Sequence, residues 1–192
     1  MIRDALDRED RRSRSPMLSR RAWVAGALAA AAATLLVVWL RRRPELREAV
    51  AADFVAYRDG DLVLAFRTSE PARLESHFAD GGVAFATRVF DLGMMRYELQ
   101  GGTVHRLAGR ISALYAYRGL DGTPLVCQMF EGSASDLPAT ADVREQRGTR
   151  FHVVRAADIT LVFWVEEGVV CVLASDGAAE RIVELALAKA RA

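Results

Sequence analysis

At 192 residues the chain has room for one ordinary domain and an anchor, not for two domains. A content of 52% hydrophobic and 27% charged residues excludes wholesale disorder. A formal net charge of +1 argues against a nucleic-acid binder, which carries a strong basic excess on one face.

Residues 1–21 hold seven arginines and four acids, contain Pro16 and lack apolar periodicity, which predicts a disordered cytoplasmic tail. Ala22 to Leu40 then reads AWVAGALAAAAATLLVVWL, 19 residues without a charge. As a helix this run is about 29 Å long, close to the hydrocarbon thickness of a bilayer. Trp23 and Trp39 stand at its ends, where indole prefers the headgroup layer. Arg20 and Arg21 precede the run and Arg41, Arg42 and Arg43 follow it, fixing both ends. A buried core helix would carry a polar stripe, and a cleaved signal peptide would end in small residues rather than in Trp-Leu and three arginines. The expectation is one uncleaved transmembrane helix over 22–40, with the lipid bilayer as its partner. Ser19-Arg20-Arg21-Ala22-Trp23 also resembles a twin-arginine export signal, departing from it at Trp23. Residues 41–60 hold five arginines against the seven before the span, so the positive-inside rule puts Met1 in the cytoplasm. The C-terminal domain, 44–192, is then periplasmic, on the outer side of a bacterial inner membrane.

Beyond Pro44 the fold class is α+β: an antiparallel sheet with about three helices. Leu46, Val50, Phe54 and Tyr57 share one helical face, and Gly60 stops that helix. Leu62–Arg67 suits a short strand. Ser69 reads as the N-cap of a second helix, with Pro71 in its first turn and Leu74 and Phe78 spaced for burial. Strands are expected at Ala84–Phe90, Met94–Gln100, Thr103–Leu107, Arg110–Arg118, Pro124–Phe130, Thr149–Ala156, Ile159–Val165 and Val169–Ala174. Gly101-Gly102, Asp121-Gly122 and Glu167-Gly168 are expected as hairpin turns, since glycine supplies their positive φ. Gly132 to Arg147, polar and holding Pro138, reads as a surface loop. Ala178–Ala190 closes the chain as an amphipathic helix with Ile182, Leu185 and Lys189 on one stripe. Lys189 is also the only lysine, a bias toward arginine that reads as coding composition.

Chemistry is hard to find. His77, His105 and His152 lack the paired spacing a metal site requires. No serine sits in a GxSxG context, and the glycine pairs read as turns rather than phosphate cradles. Adjacent Glu166 and Glu167 read as a solvated hairpin tip. Cys127 and Cys171 lie in apolar runs, without CxxC or cysteine–histidine spacing. They read as two buried free thiols, and an oxidising compartment leaves a disulfide open. No catalytic, cofactor-binding or metal-binding residue is therefore assigned, and no cofactor is expected.

Ala51–Tyr57 (AADFVAY), Arg67–Phe78 (RTSEPARLESHF) and Arg88–Leu99 (RVFDLGMMRYEL) are followed by Gly101–Tyr117 (GGTVHRLAGRISALYAY) and Phe163–Asp176 (FWVEEGVVCVLASD). In this order the segments resemble the extracytoplasmic domain of bacterial transmembrane anti-sigma factors. That family carries a cytoplasmic zinc-associated HxxxCxxC clamp on its sigma factor. Residues 1–21 contain neither histidine nor cysteine, so the clamp and its sigma-binding activity do not carry over. The resemblance implies a membrane-anchored, non-enzymatic module that senses or binds another envelope or membrane protein in signal transduction. The second reading is a twin-arginine-exported accessory factor for envelope redox or metalloenzyme assembly.

Overall fold

A computed structural model describes residues 45–189 of the chain. The expected tail (1–21) and the expected span (22–40) lie outside these residues, as do Pro44 and 190–192. Among the described residues no helix is long and apolar enough to cross a membrane.

Helix α1, Leu46–Asp59, buries Val50 and Phe54, one helical turn apart. Gly60 ends it in the left-handed region at φ 89°, where its N–H reaches the Tyr57 carbonyl. Helix α2, Pro71–Asp80, opens on a proline whose missing N–H costs nothing at a helix start, and it buries Leu74 and Phe78. The residue preceding that proline, Glu70, occupies the N-cap position in place of the expected Ser69, and no side chain caps the helix. Proline restricts the residue before it to extended backbone, which moves the boundary by one position.

The sheet has seven antiparallel strands: β1 Tyr97–Leu107, β2 Arg110–Gly119, β3 Pro124–Glu131, β4 Val143–Gln146, β5 Thr149–Ala156, β6 Ile159–Glu166 and β7 Val169–Ser175. Their order is β1-β2-β3-β7-β6-β5-β4, two meanders joined where β3 pairs with β7. Alternation divides the sheet into two apolar faces. Helix α1 covers one, packing on Leu114, Phe130, Leu161, Phe163 and Val172. The other holds Tyr115, Tyr117, Cys127, Met129, Trp164 and Cys171, and is covered by α2, the chain from Val83 to Leu92, and the last helix, α3, Ala179–Lys189. Burial on both faces explains why β3, β6 and β7 are continuous apolar runs.

Several expectations require correction. Leu62–Arg67 is not a strand: only Phe66 pairs, exchanging two backbone hydrogen bonds with Gly102 at 2.8 and 3.0 Å. Gly101-Gly102 is accordingly not a hairpin turn. It lies inside β1, which joins the two expected strands with a bulge between Leu99 and Gly101 but starts only at Tyr97: Met94 and Met95, expected in the strand, form a short 3-10 helix, Gly93–Met95, that Arg96 ends in the left-handed region. A side chain at Gly101 would strike the Phe66 carbonyl, and one at Gly102 would strike the Phe78 ring. These glycines serve close approach, not chain reversal. The reversal comes at Ala108-Gly109, both with positive φ.

Ala84–Phe90 is also not a strand. It crosses the face of the sheet instead of joining an edge, so side chains take the place of a ladder. Tyr115 and Tyr117 donate their hydroxyls to the Arg88 and Phe90 carbonyls at 2.8 and 2.7 Å, and Glu75 accepts the Val89 N–H at 2.7 Å. The expected loop 132–147 contains a short edge strand, β4, whose alternating exposed pattern VREQ gave no apolar signal. Asp121-Gly122 and Glu167-Gly168 do lie in turns, joining β2 to β3 and β6 to β7.

Candidate functional site

The chain's only lysine is buried. Lys189 ends α3 on the stripe that also carries Ile182 and Leu185, so packing that stripe takes the ammonium-bearing side chain inward, 3% exposed. Its Nζ donates to the Tyr115 hydroxyl at 2.7 Å and to Cys127 Sγ at 2.9 Å. The rings of Phe90, Tyr115 and Trp164 surround it at 5.1–5.3 Å from Nζ to their centroids. Three aromatic faces offset part of the cost of taking a cation out of water. Among the described residues no carboxylate pairs with Lys189. The acidic hydrogens within reach are those of Cys127 and Tyr115.

The surroundings hold their protons tightly. Burial, then the neighbouring Cys127, raises the Tyr115 phenol well above its ordinary range, and the same two causes raise Tyr117. Burial pushes Cys171 up to about 12 against the opposing pull of Lys189. Cys127 and Cys171 are free thiols on neighbouring strands. Both point to the same face, but their registers differ: Cys127 stands opposite Leu173, and Cys171 opposite Met129. The indole N–H of Trp164 is buried without a hydrogen-bond partner.

A cleft of about 640 Å³ opens beside this cluster, between the Phe85–Arg88 segment and the β6–β7 hairpin. Met129 and Cys171 lie along its floor, and Glu166 and Glu167 stand at its rim. The one thiol on the cleft lining, Cys171, is therefore a protonated, poorly nucleophilic one.

A second polar cluster lies on the opposite face, under α1. Asp53 Oδ2 accepts Gln128 Nε2–H at 2.8 Å and meets His105 Nε2 at 3.0 Å. Ser112, beside His105 across the β1–β2 ladder, is buried with its hydroxyl unpartnered. Serine, histidine and aspartate thus lie close together, yet the Ser112 hydroxyl makes no hydrogen bond to His105. The nucleophile–base contact that activates a serine is missing.

The other histidines are spread across the fold. His77, on α2, stacks on Phe66 with ring centroids 4.7 Å apart, and His152, on β5, bonds the Pro138 carbonyl through Nδ1 at 3.0 Å. Among the described residues no three histidine, cysteine or carboxylate side chains converge as metal ligands. Sequence reasoning assigned no site residue and passed over Lys189. The signal was present, since a lone lysine in an arginine-based chain sits on the apolar stripe of its last helix. No protein-family model, curated protein or solved structure matches the chain.

Proposed function

We propose that the chain is a membrane-tethered, non-enzymatic interaction or sensing module. Residues 22–40 would hold the α+β domain on the outer side of a bacterial inner membrane. In this reading it is similar to the outer half of a transmembrane anti-sigma factor but has no zinc clamp, and its partner is another envelope or membrane protein. The observation that carries the proposal is the 19-residue uncharged run, with a tryptophan at each end and arginines on both flanks.

Topology is the direct test. Alkaline phosphatase fused after Ala192 should be active, because that enzyme matures only outside the cytoplasm. Activity from a cytosolic reporter at the same position would invert the orientation. The neighbouring genes separate the two readings of the role. A sigma-factor gene favours the regulator, and oxidoreductase genes favour the accessory factor.

A further inference from the structure

We propose that Lys189 and Cys127 form a site of reversible oxidative cross-linking, in which a single oxygen atom is inserted between Nζ and Sγ. Its occurrence in the cell rests on the periplasmic reading above, where dioxygen is present and the cytosolic thiol reductants are not.

Geometry carries the proposal. The amine is already 2.9 Å from the sulfur, so a one-atom bridge requires little movement. The Tyr115 hydroxyl and three rings hold Nζ in place, which removes the conformational search that a free lysine side chain would face. Chemistry singles out the residue as well. Arginine, the cation used everywhere else in the chain, cannot present a neutral amine, whereas lysine can.

The cage also closes off the competing outcomes. Cys127 is fully buried, so only small reactants reach the sulfur: dioxygen on oxidation, and a small dithiol, on transient opening of the cage, on reduction. Cys171 is the nearby alternative, but it faces Met129 rather than Cys127 across the ladder, and burial keeps it protonated. A protonated thiol is a poor partner for closing a disulfide.

The step balances with dioxygen as the oxidant. The ammonium first gives one proton to solvent; the S–H bond and one N–H bond of the neutral amine then break, and S–O and O–N bonds form. Dioxygen accepts four electrons, two from sulfur and two from nitrogen; one oxygen stays in the bridge and the other leaves as water with both hydrogens. Two equivalents of a dithiol return the amine, the thiol and a second water. While it exists, the bridge fastens the last turn of α3 to the middle of β3.

The test uses the full chain, purified in detergent with reductant and then exposed to air-saturated buffer. The expected product is heavier by about 14 Da, one oxygen gained and two hydrogens lost, and reverts in dithiothreitol. Peptide mapping should join the Cys127 and Lys189 peptides, and labelling of the denatured chain should find Cys171 alone. Lys189→Arg and Cys127→Ser should not form the product, whereas Cys171→Ser should. A chain lighter by about 2 Da with no reactive thiol would be the Cys127–Cys171 disulfide and would overturn the proposal. A gain of about 16 Da confined to Cys127, or two reactive thiols after exposure, would overturn it equally. The wild-type measurement stands whether or not the variants fold. The phosphatase fusion tests topology separately, so a cytosolic domain and a missing cross-link are distinct results.

Discussion

Gln128, in the middle of β3, donates its side-chain amide to Asp53 on α1 at 2.8 Å, while its own carbonyl oxygen is buried without a partner. The bond fastens α1 to a largely apolar face, and the same carboxylate also meets His105 on β1. Removing one partner strands the other. Asp53→Leu should cost about 1–3 kcal/mol, because the Gln128 N–H would then be desolvated and unpaired. Asp53→Leu combined with Gln128→Leu should cost clearly less than the sum of the two single changes. Urea denaturation of the four proteins checks this, and strict additivity would show that the bond contributes nothing.

Asp136 gives the fold an acid-sensitive contact. Its carboxylate is held below the ordinary range by the Arg110 guanidinium first, and then by the Ser133 N–H. Because the folded value is depressed, the stabilisation is full above the unfolded value of about 4 and is lost as pH falls through the folded one. Asp136→Asn should therefore lower stability at neutral pH by about 1 kcal/mol or less, since Arg110 is largely solvated. The difference from wild type should shrink below about pH 4. Melting curves across that range decide it: a difference that stays constant into acid would mean the carboxylate charge is not what matters.

The regular part of the fold was readable because each signal was local. Helix α1 announces itself through Val50, Phe54 and Gly60, and β6 and β7 through apolar runs separated by Glu167-Gly168. What was misread depends on distant parts of the chain. Ala84–Phe90 alternates as a strand does, but whether it joins an edge or crosses a face is decided by Tyr115 and Tyr117 on β2. Gly101-Gly102 resembles a turn until Phe66 arrives from another segment to pair there. The lysine cage is assembled from Phe90, Tyr115, Cys127, Trp164 and Lys189, five separate stretches with no shared spacing. A pattern search has nothing there to find.

The two readings of Gly101 predict different mutational costs. In a hairpin turn alanine is tolerated at modest expense. At a bulge with φ +129°, against the Phe66 carbonyl, alanine is both strained and obstructed. Gly101→Ala should thus cost roughly 2 kcal/mol or more, and Gly109→Ala, at a turn with open space around it, about 1 kcal/mol. Equal costs in denaturant titrations would argue that the Phe66 segment does not dock on β1.

The last prediction is that a chain shortened to residues 43–192 folds without metal or cofactor. Glu45 at the N-cap, with Arg47 and Glu48 in the first turn, makes the start of α1 soluble in its own right, while Val50 and Phe54 dock on the sheet. A domain of this size removes roughly two-thirds of its unfolded surface from water, enough for stability without a staple. Both sheet faces are covered by the chain's own helices and by the Val83–Leu92 segment, so no ligand is needed to complete either core. The histidines do not change this: His77, His105 and His152 stand on three different elements, each held by its own neighbour in the fold. The shortened chain should be soluble and should melt in one cooperative transition, at the same temperature with or without chelator. A large drop on adding chelator would reveal a metal bound by residues not grouped here, and His105 with Asp53 would be the first pair to replace.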